Sequence, residues 1–348
     1  MDSTNMREHI LKQGQAAKMS LNHNKKAVEK FASPAEFDRI IINGAGDKYL
    51  IGLTASYLWR EFGREPLQVI HSRDLADNPP YMDENTLVIF LSQSGKTKDT
   101  MDAAKLVSSK GCSTALITNL REPTPDSLWF LKKHGPVFNT QAEIYPELPT
   151  PSTLTYHGTL SVLWHMLSEL AGKNLYQEIM DAADITDKIS NDTAVEEKAK
   201  KLAEKLDGPR YVFGDGPRYG LARKQALIMF MEGTKTNAFS LESEEFLHSA
   251  VETLEEDNNE KLPMLMFMPP KGTPFHDTAE KIVKIWGEHA PAYPIEPPEV
   301  SKHVNLNNLL SVQPQMVFGE WVAYHEAILK GIDPGLTEIV KKVRSSGF

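Results

Sequence analysis

The chain has 348 residues, long for a single hydrophobic core, so two domains of similar size are expected. Hydrophobic residues make up 41% and charged residues 24%, the balance of an ordinary globular protein, and no stretch approaches the roughly 20 apolar residues of a membrane span. A net charge of −9 argues against nucleic acid and anionic membranes as partners, so an anionic ligand needs its own local cluster of donors.

In chain order, residues 1–34 are polar with scattered apolar positions and predict a helical arm. From residue 35 to 175 strand and helix patterns alternate. IIIN (40–43) is a β-branched run ending in GAG, and an apolar-periodic helix follows from Tyr49 to Phe62. PLQVIHS (66–72), TLVIFLS (86–92) and STALIT (113–118) are further strands. Between the last two lies KDTMDAAKLVSSKG, a helix stopped by Gly111. The single cysteine, Cys112, precedes the last of these strands; one thiol makes no intrachain disulfide. With no apolar leader at the N-terminus, this predicts a reducing, cytoplasmic setting. Short apolar strands alternating with helices predict a parallel sheet covered on both faces.

Residues 176–204 are charge-rich and predict a helical connector. From 205 to 335 the same grammar restarts. YVFGDGPRYG (211–220) mirrors IINGAGDKYL (41–50), each reading strand, G-x-G-x-[KR]-Y, helix, and PMLMFMPPKGT (263–273) is placed like LVIFLSQSGKT (87–97). The repeat predicts two doubly wound α/β domains of one architecture, with residues 336–348 as a tail.

Ligands of open α/β sheets bind beyond the carboxyl ends of the strands. SQSGKT (92–97) lies there, with Ser92, Gln93, Ser94 and Thr97, a glycine for close approach, and the free N–H groups of a helix start. This suits a tetrahedral anion, and equally a Ser/Thr-rich helix cap. GAGDKY (44–49) contributes Gly46, Asp47 and Lys48. It lacks the third glycine of a dinucleotide fingerprint, Tyr49 standing in its place, so no cofactor is expected. Lys48 reads either as a charge for the same anion or as a solvated lysine on the first helical turn.

Glu232 follows the apolar run LIMFM and reads as a buried, paired glutamate or the polar end of a helix. His248 sits in LESEEFLHSAVE among Glu242, Glu244, Glu245 and Glu252, which read as helix-start and solvent-face charges. No second histidine stands at ligand spacing, so no metal is expected. His71, His157, His165 and His325 carry no motif and read as structural or surface residues.

With these motifs the sequence resembles the SIS (sugar isomerase) family over nearly its whole length. SQSGKT is similar to that family's sugar-phosphate loop. The second half resembles the isomerase domain of glucosamine-6-phosphate synthase and the related fructosamine-6-phosphate deglycases. In those relatives a glutamate lies sixteen residues before a histidine closing an [EG]-x-x-H turn, the separation of Glu232 in FMEG from His248 in EEFLH. GLTEIVKKV (335–343) is similar to the synthase's C-terminal loop, with Lys341 at its lysine. PELPTPST (146–153) resembles the segment that meets the ligand, matching Glu147, Ser152 and Thr153.

The chain departs from the synthase in having Met229 and Gln225 where that family carries a lysine and a glutamate. It also lacks an N-terminal nucleophilic cysteine and a glutaminase domain, and Lys48 replaces the serine that usually touches phosphate.

The resemblance implies two flavodoxin-like domains and aldose–ketose isomerisation of an open-chain hexose with an anionic C6 group, a phosphate or, given Lys48, a sulfonate as in sulfoquinovose. It implies Glu232 as the carboxylate moving a proton between C1 and C2, His248 as the ring-opening acid–base group, and Lys341 closing over the sugar. It further implies a homodimer in which His248 enters the neighbouring subunit's pocket. A fructosamine-6-phosphate deglycase and a non-catalytic sugar-phosphate sensor are the alternatives, although no basic recognition helix accompanies the domains.

Overall fold

The computed structural model describes residues 5–33, 37–120, 124, 126–140, 151–255 and 262–345. α1 (Met6–Ala32) opens the chain and leads to β1 (Arg39–Gly44), α2 (Asp47–Phe62), β2 (Leu67–His71), α3 (Ser72–Asp77) and β3 (Thr86–Ser92). α4 (Lys98–Ser109), β4 (Ser113–Thr118) and β5 (Val137–Asn139) complete a parallel sheet of order β2-β1-β3-β4-β5. Every residue of β3 is buried, as expected of a central strand covered on both faces.

α5 (Leu154–Leu170), α6 (Tyr176–Ser190) and α7 (Thr193–Ala203) lead to the second sheet. There β6 (Arg210–Gly214) is followed by α8 (Arg218–Lys224), a π-helix over Gln225–Thr234, β7 (Ala238–Leu241) and α9 (Ser243–His248). β8 (Met264–Phe267), α10 (His276–Gly287) and β9 (Ala292–Ile295) finish a parallel sheet of order β7-β6-β8-β9. α11 (Val304–Leu310), α12 (Val312–Leu329) and α13 (Glu338–Ser345) close the chain. The fold is α/β with two doubly wound parallel sheets, and the second repeats the strand order of the first as far as it extends.

One apolar core runs through both halves. It joins Ile40, Ile42, Leu87 and Ile89 of the first sheet to Val212, Leu265 and Phe267 of the second. Helix α5 is buried along its first fifteen residues, Leu154 to Ser168, as befits a helix packed on all sides. The helix expected near the N-terminus is present as α1, and it packs into the body of the molecule. Met6, Ile10, Ala17, Leu21 and Val28 place a buried stripe on α1, which packs along α5 and α6. Small residues allow this approach: a Cβ on Gly14 would lie 2.2 Å from the Asp187 nitrogen. The charge-rich stretch after α5 is likewise built in, as α6 packs on α1 and α7 packs on α12.

The halves meet where α2 packs on α8. A Cβ on Gly220 would lie 2.4 Å from Thr54 Oγ1 and 2.6 Å from the Leu50 carbonyl oxygen, so only glycine permits this crossing. Among the described residues no helix is long and apolar enough to cross a membrane.

Candidate active site

In the first sheet the strand order reverses between β1 and β3, where Gly44 lies in register with Leu91. The loops leaving these two strands therefore flank one crevice at the carboxyl edge. The loop after β1 turns at Gly46 (φ 59°), where an added Cβ would meet nothing within 4 Å, and enters α2 at Asp47.

Lys48 is not the solvated lysine that its place on a first helical turn allows. It is only 3% exposed, and its Nζ donates to Asp47 Oδ2 at 3.1 Å. Burying an ammonium without such a partner would cost far more than the pair gains at a surface.

The loop after β3 is ordered by its own hydroxyls. Ser92, buried at the strand's end, accepts the Gly95 N–H at 3.1 Å, and Ser94 Oγ accepts the Lys96 N–H at 3.2 Å. Each of these bonds uses an acceptor lone pair and leaves the hydroxyl proton to be donated, which is what an anion requires. The Gln93 carbonyl accepts the Asn119 N–H at 3.2 Å, and Gly95 takes φ 64°. Thr97 occupies the N-cap of α4 but makes no side-chain cap bond. The amides of the first turn of α4 therefore take no bond from the Thr97 side chain.

Beneath both loops lies a brace that no motif announced. Ser72 Oγ donates to Asn43 Oδ1 and meets Thr100 Oγ1, each at 3.0 Å, and Asn43 Nδ2 donates to the Ile70 carbonyl at 3.0 Å. It ties the end of β1 to the starts of α3 and α4 and fixes the spacing of the two loops. Its members are ordinary polar residues that only the fold brings together.

The matching crevice of the second half is filled by the chain itself. In the repeat, Arg218 stands where Lys48 stands, and it is fully buried. It donates to the Met268 carbonyl, Gln315 Oε1, the Asn308 carbonyl and Oδ1, and Ser311 Oγ, at 2.7–3.0 Å. Burial pushes its guanidinium down to about 9. Its donors are thus committed to five protein acceptors, whereas Lys48 is bonded to a single carboxylate.

Ser152 and Thr153 lie buried at the start of α5, with Ser152 Oγ 3.1 Å from Thr155 Oγ1. Glu147 lies outside the described residues. Glu232, partly buried, rides the last turn of the π-helix and not the end of an α-helix. Lys235 (φ 58°) ends that helix, with its Nζ on the Glu232 carbonyl.

His248 is exposed at the end of α9, which Phe246 anchors in a separate apolar cluster with Phe213, Met264 and Trp286. Asp215 accepts the Ser243 N–H at 2.8 Å at the start of α9, and burial raises its carboxyl in spite of that bond. Burial also raises Glu242, with Asp215 adding to the effect, while Glu244, Glu245 and Glu252 are exposed. Lys341 falls within α13.

His157, which carried no motif, lies in a buried charged cluster that spans the halves. Its Nε2 is 3.6 Å from Glu320 Oε2, and Lys224 Nζ donates to Glu320 Oε1 at 2.8 Å. Burial pushes the Glu320 carboxyl up, and Lys224 with His157 outweighs it, holding the group well below the usual carboxylate range. Lys224 Nζ also sits 4.3 Å over the Tyr156 ring.

These features define a doubly wound α/β protein with a polar, lysine-bearing crevice at its first switch point. Residues 35–124 match the SIS domain model, and residues 195–346 match that of the bacterial phospho-glucose isomerase C-terminal SIS domain. The chain belongs to the SIS-domain proteins, with one such match in each half.

Among curated relatives, the glutamine–fructose-6-phosphate aminotransferase [isomerizing] of Pyrococcus horikoshii is 29% identical over 258 residues, covering 72% of this chain and 42% of that protein. The Thermococcus kodakarensis protein of the same name is 25% identical over 94% of this chain and 56% of its own length. The chain thus spans about half the length of these relatives. Among solved structures, the tagatose-6-phosphate ketose/aldose isomerase of Escherichia coli superposes with a TM-score of 0.76 at 18% identity, covering 96% of both chains. The C-terminal domain of the Francisella tularensis glucosamine-fructose-6-phosphate aminotransferase gives 0.74 at 18% identity, covering 95% of this chain and 97% of that one. At that identity the likeness speaks for the fold.

Proposed function

We propose that the chain is an aldose–ketose isomerase acting on an open-chain hexose with an anionic C6 group. The observation that carries this reading is the first switch point, where buried Lys48 and the hydroxyls of Ser92 and Ser94 lie in or beside the loops that leave adjacent strands. The C6 anion is held there, with Gly46, Asp47, Gln93, Thr97 and the first-turn amides of α4 around it. Glu147, Ser152 and Thr153 meet the sugar chain. Glu232 takes the proton from one of C1 and C2 and returns it to the other, and His248 relays the proton that opens the ring. Lys341 closes over the open-chain form.

The named ketose/aldose isomerase among the structural neighbours and the isomerizing aminotransferases among the curated relatives support the reaction class. Lys48 favours a sulfonate at C6: it supplies a fixed charge where a serine supplies only a hydroxyl, and a sulfonate is a permanent monoanion that accepts but never donates. The substrate is then sulfoquinovose, converted to sulfofructose.

The test is incubation in D₂O with glucose 6-phosphate, sulfoquinovose and fructoselysine 6-phosphate. The expected result is ketose formation from an aldose, with deuterium entering at C1 or C2. Released amine would instead indicate a deglycase, and no turnover would leave a sugar-phosphate sensor. Glu232→Gln is expected to lower exchange by about a thousandfold while calorimetry still detects binding. Full activity in that variant would remove Glu232 from the mechanism.

A further inference from the structure

The π-helix over Gln225–Thr234 is long for its kind. Such wide turns are rare, occur mostly as single bulges, and persist where their surroundings impose them. Here the surroundings are α12. At the start of the π-helix, Lys224 donates to Glu320, and Gln225 Nε2 donates to the Gly319 carbonyl at 2.9 Å. Gly319 makes room for that amide, since a Cβ there would lie 2.3 Å from Gln225 Oε1. At the other end, Thr234 Oγ1 donates to the Phe230 carbonyl at 3.0 Å and lies 2.9 Å from Thr236 Oγ1. Thr236 in turn donates to Glu326 Oε1 at 3.0 Å, the carboxylate that Arg210 grips through both terminal nitrogens at 2.7 and 2.9 Å.

The carboxylates of Glu320 and Glu326 are both buried and sit on one helix. Through them α12 holds the two ends of the segment that carries Glu232. The first clamp also reaches the other half of the molecule. His157, within 3.6 Å of Glu320, is on α5, one turn beyond Thr153 at that helix's start.

Resting on the isomerase reading above, we propose that Glu320 and Glu326 are positioning residues. They impose the π-helical register that aims the Glu232 carboxylate at C1 and C2, and the Glu320 clamp sets that aim relative to α5. Neither touches the sugar. Removing a clamp therefore lowers kcat through misplacement of Glu232 and leaves the grip on the C6 anion, in the first half, unchanged.

The experiment compares the unsubstituted protein, the double variant Lys224→Met/Glu320→Leu, and a deletion of Leu227, a π-helical residue 39% exposed. The double variant replaces the buried pair with apolar groups, a change that leaves many folds intact. The deletion lets the segment contract to an α-helix. Rates are read with whichever of glucose 6-phosphate and sulfoquinovose the unsubstituted protein exchanges in D₂O. Both variants are expected to melt cooperatively and to lose about a hundredfold in kcat, with KM within about twofold of the unsubstituted value.

A double variant with unchanged kcat, or with raised KM alone, overturns the positioning role, as does one that fails to fold. In those cases the isomerase reading stands on the inactivity of Glu232→Gln. Absence of exchange by the unsubstituted protein overturns the isomerase reading and the positioning role with it.

Discussion

Lys48 shows how far residue types alone carry the argument. GAGDKY and SQSGKT are visible in the sequence because turns, helix starts and anion cradles demand glycine and small hydroxyl residues at fixed offsets. Whether Lys48 is solvated is decided by packing, and its 3% exposure with a bond to Asp47 shows that it is not. If this lysine selects a sulfonate, Lys48→Ser exchanges a charge-assisted contact for a neutral one. The ratio of kcat/KM for sulfoquinovose to that for glucose 6-phosphate should then fall by about tenfold or more. Steady-state assays with the two sugars measure it, and an unchanged ratio removes the sulfonate argument. By contrast, the Asn43–Ser72–Thr100 brace and the Lys224–Glu320–His157 cluster were illegible. Their members are far apart in sequence, and no motif pairs them.

Among elements, strands β1 to β4 and helix α4 were legible from apolar runs and stop signals, because those patterns act locally. The π-helix was not. Its buried residues, Gln225, Ala226, Met229, Phe230, Gly233 and Thr234, recur every four residues, which suits a helix wider than the 3.6-residue α-turn. The intervening Leu227, Ile228 and Met231 are also apolar and mask that period. The α2–α8 crossing was hidden too, since a glycine within a helical pattern says nothing of what it faces. Gly220→Ala drives a methyl into the Leu50 carbonyl and Thr54, so it should destabilise the protein by about 1–3 kcal/mol. Chemical denaturation reads this directly, and an unchanged midpoint would mean that the helices separate freely.

For the whole molecule, the repeat of strand order was legible, but the mutual burial of the halves was not. Periodicity reports which face of an element is apolar and not which element covers it. The exposed place of His248 on α9 bears on assembly, because a catalytic role for it requires another surface to complete the pocket. If a twofold dimer supplies that surface, mixing inactive Glu232→Gln and His248→Asn proteins under subunit exchange should restore about a quarter of full activity through mixed dimers with one intact site. No recovery despite exchange would place both residues in one subunit.

The many bonds of Arg218 and the single one of Lys48 leave the halves with unequal tolerance for change. Arg218 answers to protein groups at the end of β8, in α12 and before it, so its replacement is felt as lost abundance of folded protein. Lys48 answers to one neighbouring carboxylate and, in the proposed reaction, to a passing ligand. Of two loops built to one pattern, the second has become fixed masonry, and the first is where a change of diet can be written into the chain without rebuilding the house.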